Sequence, residues 1–99
     1  MKLVYTQQAV TALQECLDFF PSEVATEKVN EIRDRILAKA DRLLENPHIG
    51  QREEYLEHMG QSHRRVIEGN YKIIYRIEGE GIVITDIFDS RQDPEKMKG

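Results

Sequence analysis

The chain has 99 residues, with fourteen Lys and Arg against eighteen Asp and Glu, and therefore a formal net charge of −4 at neutral pH. This length suits one small domain and excludes a larger enzyme that binds a cofactor between two domains. The negative balance gives no support for bulk DNA or RNA binding, because that mode depends on Lys and Arg neutralising phosphates. We expect a single domain over residues 1–99.

Cys16 is the only cysteine, so the chain cannot form an internal disulfide, and no Cys and His residues have the spacing of a zinc site. The sequence therefore predicts neither a metal nor another cofactor. The first ten residues lack the apolar segment of a signal peptide, and no apolar run approaches the length needed to cross a membrane. We predict a cytoplasmic protein without a membrane partner.

The start of the chain predicts a strand followed by a helix. Residues 2–5 are β-prone, and Thr6 is suited to cap the helix that follows. Apolar residues then recur at intervals of three and four as far as Pro21, which ends the helix. They share one helical face, with Cys16 beside it: Ala9, Leu13, Leu17 and Phe20.

The next segment predicts a second helix, capped at its start by Ser22 or Thr26. Its apolar stripe covers several turns, and its opposite face carries the mixed charges typical of a solvated surface. Asn46 and Pro47 end this helix, because proline lacks an amide donor and disfavours helical geometry at the residue before it. The stripe consists of Val29, Ile32, Ile36, Leu37, Ala40, Leu43 and Leu44.

After Gly50 the apolar period falls from about 3.6 residues to 2, which indicates strands. Segment 71–77 alternates so that one face is wholly apolar or aromatic, as in a central strand. Tight turns join it to segments 64–68 and 82–88, which predicts an antiparallel meander. A weaker strand is predicted around 54–57.

These elements predict an α+β domain in which an N-terminal strand and a two-helix hairpin precede a three- or four-stranded antiparallel sheet. Two helices cover only one face of such a sheet. The other face would then carry Lys72, Ile74 and Arg76, and a monomer seldom leaves a large apolar surface of this kind exposed. We interpret these three residues, together with Arg91 beyond the last strand, as a partner-binding surface.

Three segments resemble the RelE/ParE superfamily of bacterial toxins, the toxin halves of type II toxin–antitoxin modules. They are LLENPHIG (43–50), RVIEGNYKIIYRIEGEGIVITDIF (65–88) and DSRQDP (89–94), in that order. With the strand and helices at the start, the resemblance covers nearly the whole chain. It implies a small toxin that a short antitoxin neutralises by wrapping a flexible tail around it.

The resemblance implies one of two activities. RelE-like members enter the ribosome and cut mRNA, whereas ParE-like members block DNA gyrase and have no known catalytic step. RNA cleavage through the 2′-hydroxyl, without a metal, needs a proton acceptor, cations that stabilise the charge on phosphate, and an acid for the leaving oxygen.

Matched to the RelE-like pattern, the cationic positions fall on Arg65, Lys72 and Arg91, which are the catalytic candidates if the chain is a ribonuclease. Lysine at position 72 keeps the charge of the family's arginine but loses its bidentate geometry. The positions for proton transfer hold Met97, which cannot transfer a proton, and Asp89, where some relatives have histidine.

Other titratable side chains precede the first strand of the meander and are candidates for a replacement acid or base, although we expect them to be solvated loop residues. They are His58, His63, Glu53 and Glu54. Residues 96–99 are expected to fray at the end of the chain.

The missing proton-transfer residues favour the ParE-like branch. We therefore predict a toxin that inhibits bacterial growth by binding DNA gyrase and that has a cognate antitoxin as its partner. One alternative is a RelE-like mRNA endoribonuclease, with the ribosome and mRNA as partners. The second alternative is an inactive relative that serves as an antitoxin-binding module.

Overall fold

A strand and two helices open the fold in a computed structural model that describes residues 1–99: β1 (Lys2–Tyr5), α1 (Gln7–Asp18) and α2 (Thr26–Asp41). Thr6 caps α1 as predicted, because its hydroxyl accepts a hydrogen bond from the Ala9 amide at 3.1 Å. The predicted cap of α2 is wrong, since Thr26 lies inside the helix and Ala25 occupies the cap position without a side-chain hydrogen bond.

The end of α2 also differs in detail from the sequence prediction. The regular helix stops at Asp41 and continues as one tighter 3-10 turn, Arg42–Leu44, before the chain reaches Asn46 and Pro47. The apolar stripe therefore runs on through Leu43, which is buried, although the hydrogen-bonding pattern has already changed.

Four further strands complete a five-stranded sheet with the order β1-β5-β4-β3-β2: β2 (Gln51–Arg52), β3 (Arg64–Glu68), β4 (Tyr71–Glu78) and β5 (Gly81–Asp89). The antiparallel meander of β3, β4 and β5 is confirmed. Two features differ from the prediction: β1 joins the sheet parallel to β5, and the weak strand expected near 54–57 is instead a 3-10 helix, Glu54–Met59.

Both helices pack on one face of the sheet, which we call the inner face. The alternation predicted for β4 is confirmed, because Ile73 and Tyr75 are completely buried there. They share one apolar cluster with Ala9 of α1 and Ile36 of α2. Packing of amphipathic helices on an apolar sheet face, which removes both surfaces from water, positions the strands that follow.

A β-bulge changes the alternation along β5. The β4 pair Ile74 and Tyr75 is opposite Asp86 and Ile84, so Thr85 has no counterpart in the ladder. An extra residue reverses which side chains point to which face. As a result Ile84 belongs to the inner-face cluster, whereas Phe88 packs on the opposite side of the sheet.

The outer face, which is the side of the sheet away from both helices, is not open as the sequence predicts. Ile74 is 0% exposed and packs in a second apolar cluster with Leu56, Phe88 and Met97. The 3-10 helix Glu54–Met59 contributes Leu56 and the C-terminal segment contributes Met97. Ile74 is therefore core, and its assignment to an exposed partner surface is wrong.

The C-terminal segment is fixed to the protein rather than frayed. The Lys98 amide donates to Asp86 Oδ2 at 2.9 Å, and Gln8 Nε2 donates to the Gly99 carbonyl at 3.1 Å. Together with the burial of Met97, these bonds hold residues 97–99 against β5 and α1. The expectation that residues 96–99 fray is thus wrong.

The loop between α2 and β2 is attached to β4 through Tyr75. The Tyr75 hydroxyl donates to the Pro47 carbonyl at 2.7 Å and accepts from the Gly50 amide at 2.9 Å. A Cβ atom at Gly50 would overlap the Tyr75 ring and the Arg65 carbonyl, so only glycine fits at this close approach. This loop leads the chain into β2 and then into Glu53.

Candidate functional site

β3 and β4 place two of the three predicted cationic residues on the outer face. In the antiparallel register Arg65 is opposite Ile74, and on the next strand pair Lys72 is opposite Phe88. Residues opposite each other in such a ladder point to the same face. Arg65 and Lys72 therefore lie beside the second apolar cluster, where both side chains are largely shielded from water.

A buried carboxylate lies between these two cations. Lys72 Nζ donates to Glu53 Oε1 at 3.2 Å, and Arg65 Nη1 lies 3.6 Å from Glu53 Oε2. Glu53 is 1% exposed and also accepts a hydrogen bond from the Tyr55 amide at 3.3 Å. A charge buried to this degree needs partners of opposite sign, so Glu53, Lys72 and Arg65 act as one unit, which we call the Glu53 triad.

Arg65 is held further by the edge strand. Its guanidinium donates to the Arg52 carbonyl at 2.5 Å and to Gln51 Oε1 at 3.1 Å. Two of its five N–H donors are thus used inside the protein, and the same guanidinium forms an ion pair with Glu53. The Glu53 triad thus presents little free cationic surface to an anion from solution.

Arg91, the third cationic candidate, lies elsewhere. Its guanidinium forms a two-pronged ion pair with Asp89, at 2.9 Å to Oδ1 and 2.8 Å to Oδ2, and these hydrogen bonds lower the pKa of Asp89. Burial raises the pKa of Tyr71, which belongs to the inner-face cluster, and the nearby charge of Arg91 partly offsets this rise. The structure therefore brings Arg65 and Lys72 together and does not bring Arg91 to them.

Arg76, predicted to bind a partner, lies on the outer face of β4 and pairs with Glu78 two residues along the same strand. It remains partly exposed, as do Lys72 and Arg91. Ile74 is the one member of the predicted surface that the structure removes from solvent completely. The role of the three charged residues in binding stays a prediction.

The candidate replacement acids and bases divide into exposed and buried residues. Glu54 and His58 are solvated, as expected. His63 is 3% exposed, neither of its ring nitrogens has a hydrogen-bond partner, and burial, with a smaller effect of Arg76, lowers its pKa. The expectation of solvated loop residues is therefore wrong for His63 and for Glu53.

The chemistry available to this arrangement is limited by its internal pairing. A ribonuclease site needs unpaired cations near the phosphate and a side chain within reach of the proton to be moved. Here Glu53 is paired with both adjacent cations and offsets one of their two positive charges, and Met97 is buried in the second apolar cluster. No three His, Cys, Asp or Glu side chains converge in a way that could hold a metal ion.

Comparison with known proteins identifies the family. The family model described as the ParE toxin of type II toxin–antitoxin systems, parDE, matches residues 3–94, which is almost the entire chain. The chain belongs to the ParE toxin family. This membership confirms the resemblance to the RelE/ParE superfamily, and within it the ParE-like branch.

A solved structure shares the fold of this ParE-family chain. It is described as the chromosomal ParDE TA system from P. aeruginosa, and it superposes with a TM-score of 0.72 at 21% sequence identity. The match covers 88% of this chain and 92% of the other.

Comparison with the sequences of curated proteins gives no match. No helix of the ParE-family chain is both long enough and apolar enough to cross a membrane.

Sequence reasoning named Glu53 as a candidate acid or base near this surface but did not indicate that it is buried between two cations. It follows the two-residue strand β2, which has no periodicity that a sequence could reveal. The available signal was electrostatic. Arg65 and Lys72 lie on adjacent strands on the same face beside an apolar cluster, where a carboxylate offsets part of the cost of removing their charges from water.

Proposed function

We propose that this ParE-family toxin inhibits bacterial growth by binding DNA gyrase rather than by cutting mRNA. The observation that carries the proposal is the Glu53 triad. Arg65 and Lys72 occupy positions at which the ribonucleases of the superfamily stabilise phosphate, and in this chain both contact Glu53, which is buried. A carboxylate there repels RNA phosphate and competes for the same donors.

The separation of Arg91 supports the same proposal. Its guanidinium pairs with Asp89 at the end of β5, so it does not add to the charge near Lys72. With a net charge of −4, the chain also lacks the general positive field that steers a protein to the ribosome. Inhibition through protein contact needs none of these features.

The second part of the proposal is an antitoxin partner. The family is defined by toxins that act in a two-component toxin–antitoxin system, and we propose that this chain is neutralised by a cognate antitoxin encoded beside it. The reading frame next to its gene tests this part directly. A short frame whose product restores growth when expressed with the toxin is expected, and a toxin that no adjacent product neutralises contradicts it.

The gyrase part is tested with the purified full-length chain. DNA supercoiling by gyrase and the integrity of an mRNA in a translation extract are measured at the same toxin concentrations. We expect supercoiling to be inhibited and the mRNA to stay intact. The control for nonspecific effects of added protein is Ile74→Asp. This substitution places a charge in the second apolar cluster and is expected to unfold the chain.

Two results contradict the proposal in different ways. Cleaved mRNA with unaffected supercoiling would assign the chain to the endoribonucleases, with Lys72 and Arg65 released from Glu53 on the ribosome. Normal growth of a permissive host that contains soluble, folded toxin would instead identify an inactive relative.

A further inference from the structure

A cleft of about 960 Å³ lies between α1, the end of β5 and the C-terminal segment. α1 contributes Ala12, Cys16 and Phe19, which recur at intervals of four and three and so share one face of the helix. β5 contributes residues 86–89, and the C-terminal segment contributes residues 95–98. No member of the Glu53 triad lines this cleft, so it is a separate surface of the molecule.

Phe19 is the most exposed of the large apolar residues of the chain, at 82%. It occupies the cap position at the end of α1 and belongs to neither of the two apolar clusters. Packing of the core therefore does not account for a ring at this position. An exposed aromatic side chain beside a cleft offers a large contact area at a low cost in conformational entropy, and such residues are enriched where proteins bind each other.

A buried carboxylate, Asp86, lines the same cleft. Its side chain is 4% exposed, and its Oδ2 accepts a hydrogen bond from the Lys98 amide at 2.9 Å. No Lys, Arg or His side chain lies within 4 Å of either carboxylate oxygen. Burial raises the pKa of Asp86, and hydrogen bonds from the amides of Lys98 and Ile87 offset only part of that rise.

Asp86 thus differs from Glu53, which is buried to a similar degree but has two cations beside it. A buried carboxylate without a cation is costly, because hydrogen bonds from amides replace only part of the lost hydration. The chain provides the missing cation for Glu53 and does not provide it for Asp86. A cation from another molecule would reduce this cost.

The other charges of the cleft are exposed or already paired. Asp89 forms its ion pair with Arg91. The remaining two carboxylates and two ammonium groups are exposed and offset one another: Glu15, Glu95, Lys96 and Lys98. Asp86 is the one charged residue of the cleft that is buried, and electrostatic attraction is strongest where water is excluded. Asp86 therefore determines the sign of the charge that the cleft can bind.

We propose that this cleft, which we call the Asp86 cleft, binds a basic segment of a partner protein through one inserted arginine side chain. The guanidinium donates to the Asp86 carboxylate, which keeps acceptor capacity beside its bond from the Lys98 amide. Apolar residues next to the arginine pack on Phe19. Arginine fits better than lysine, because its planar fork matches a carboxylate and it is more weakly hydrated.

An anionic group is a poor occupant of the same cleft. A phosphate or an acidic segment would lie beside Asp86, where no buried cation is present to receive it. Charge complementarity therefore selects a basic partner over an acidic one. The inference concerns this cleft alone and does not depend on the target of the toxin.

The test measures the binding of three seven-residue peptides to the full-length chain by NMR titration. The arginine probe has Arg between two leucines at its centre; the second probe has citrulline there, which is similar in shape but uncharged, and the third has Lys. We expect the arginine probe to bind, the citrulline probe to bind at least about tenfold more weakly, and the lysine probe to be intermediate. Amide resonances of residues 15–19 and 86–89 should shift.

One pair of variants tests the carboxylate. Asp86→Asn removes the charge but keeps an oxygen that can accept from the Lys98 amide, and we expect it to weaken binding of the arginine probe about tenfold. The matched control, Asp34→Asn, removes the same charge from an exposed position on α2 outside the cleft and should leave binding unchanged. Thermal unfolding verifies that both variants are folded.

A second pair tests the aromatic ring and does not depend on the folding of Asp86→Asn. Phe19→Ala changes an exposed residue, so the variant should fold normally and bind the arginine probe about fivefold more weakly. Tyr55→Ala removes an exposed aromatic ring outside the cleft and is the control, for which we expect unchanged binding.

Four results would overturn the inference. They are no saturable shift with the arginine probe up to about 5 mM, equal affinity for the arginine and citrulline probes, equal loss of binding in a variant and its control, and shifts confined to residues outside the cleft. A concentration-dependent dimer whose shifts map to residues 86–89 would assign the cleft to a second copy instead. Growth arrest is measured separately, so a chain that binds the probe without being toxic separates this inference from the proposed function.

Discussion

Glu53 shows how much one side chain can decide in a small protein. Its carboxylate is buried, and two cations from adjacent strands satisfy it. Such a unit contributes modestly to stability as a whole, because burial of charge costs solvation free energy, but loss of one member leaves the others unpaired. The contacts of Glu53 with Arg65 and Lys72 thus hold the outer face together and also occupy donors that a phosphate would need.

Glu53→Gln is predicted to lower the free energy of unfolding by about 3 kcal/mol, because Lys72 and Arg65 are left beside each other without the carboxylate. Urea unfolding measures the change. Glu54→Gln is the control: this neighbour is exposed, so its substitution should alter stability by less than about 0.5 kcal/mol. Equal stabilities of the two variants would show that the triad is not formed in solution.

Ile74→Ala is predicted to destabilise the protein by about 3 kcal/mol, because it leaves a cavity in the second apolar cluster. Ile67→Ala makes the same change on the neighbouring strand at a residue that is 55% exposed, and we expect it to cost less than about 1 kcal/mol. The comparison is made by thermal unfolding. Similar effects of both substitutions would mean that the outer face is open after all.

At the scale of elements, the two helices begin in different ways. α1 has a side-chain cap at Thr6, while the cap position of α2 holds Ala25, which makes no side-chain hydrogen bond to the first turn. The free amides at a helix start need an acceptor from a cap, from water or from another part of the chain. α2 is therefore held mainly by its packing, through Ile36 and Ala40 in the inner-face cluster.

Because the two helices differ in their caps, we predict that substitutions at the two cap positions change the stability of the protein in opposite directions. Thr6→Ala should destabilise the protein by about 1 kcal/mol, because the Ala9 amide loses its acceptor. Ala25→Ser should stabilise it by about 0.5–1 kcal/mol, because serine can accept from the first turn of α2. Denaturation midpoints measured under one set of conditions test both. Stabilisation by the first change, or destabilisation by the second, contradicts the observed caps.

The cover of the outer face is made from irregular elements. Leu56 comes from a 3-10 helix and Met97 from the C-terminal segment, and each contributes one large side chain to the cluster. Neither segment has the repeating apolar pattern of an amphipathic helix or strand. An element that contributes a single contact cannot be recognised from periodicity, which is why the sequence predicted an open face.

For the molecule as a whole, stability is coupled to pH through His63. Its burial lowers its pKa, so the unfolded chain takes up a proton at a higher pH than the folded protein does. A group of this kind leaves stability intact above its ordinary pKa and reduces it as the pH falls through that value. Protonation would also put a charge near Arg76, on a ring whose nitrogens have no hydrogen-bond partner.

We predict that the free energy of unfolding decreases as the pH falls below about 6.5, with a slope of at most about 1.4 kcal/mol per pH unit from this residue. Urea unfolding at pH 7.5 and 5.5 measures the decrease. His63→Gln should remove most of it, whereas His58→Gln, at an exposed position, should retain it. A pH dependence that is the same in all three proteins would contradict this assignment.

The sequence by itself determined the regular elements and the family. Periodicity identified α1, α2 and the alternation of β4, because each repeats one local rule over many residues. Three ordered segments gave the resemblance to the RelE/ParE superfamily, and the missing proton-transfer residues at Met97 and Asp89 favoured its ParE-like branch. Only the tertiary structure decided the outer face. The bulge at Thr85, the position of Glu53 between two strands, and the single contacts of Leu56 and Met97 join residues far apart in the chain. Such contacts arise from packing and desolvation, which no local pattern records.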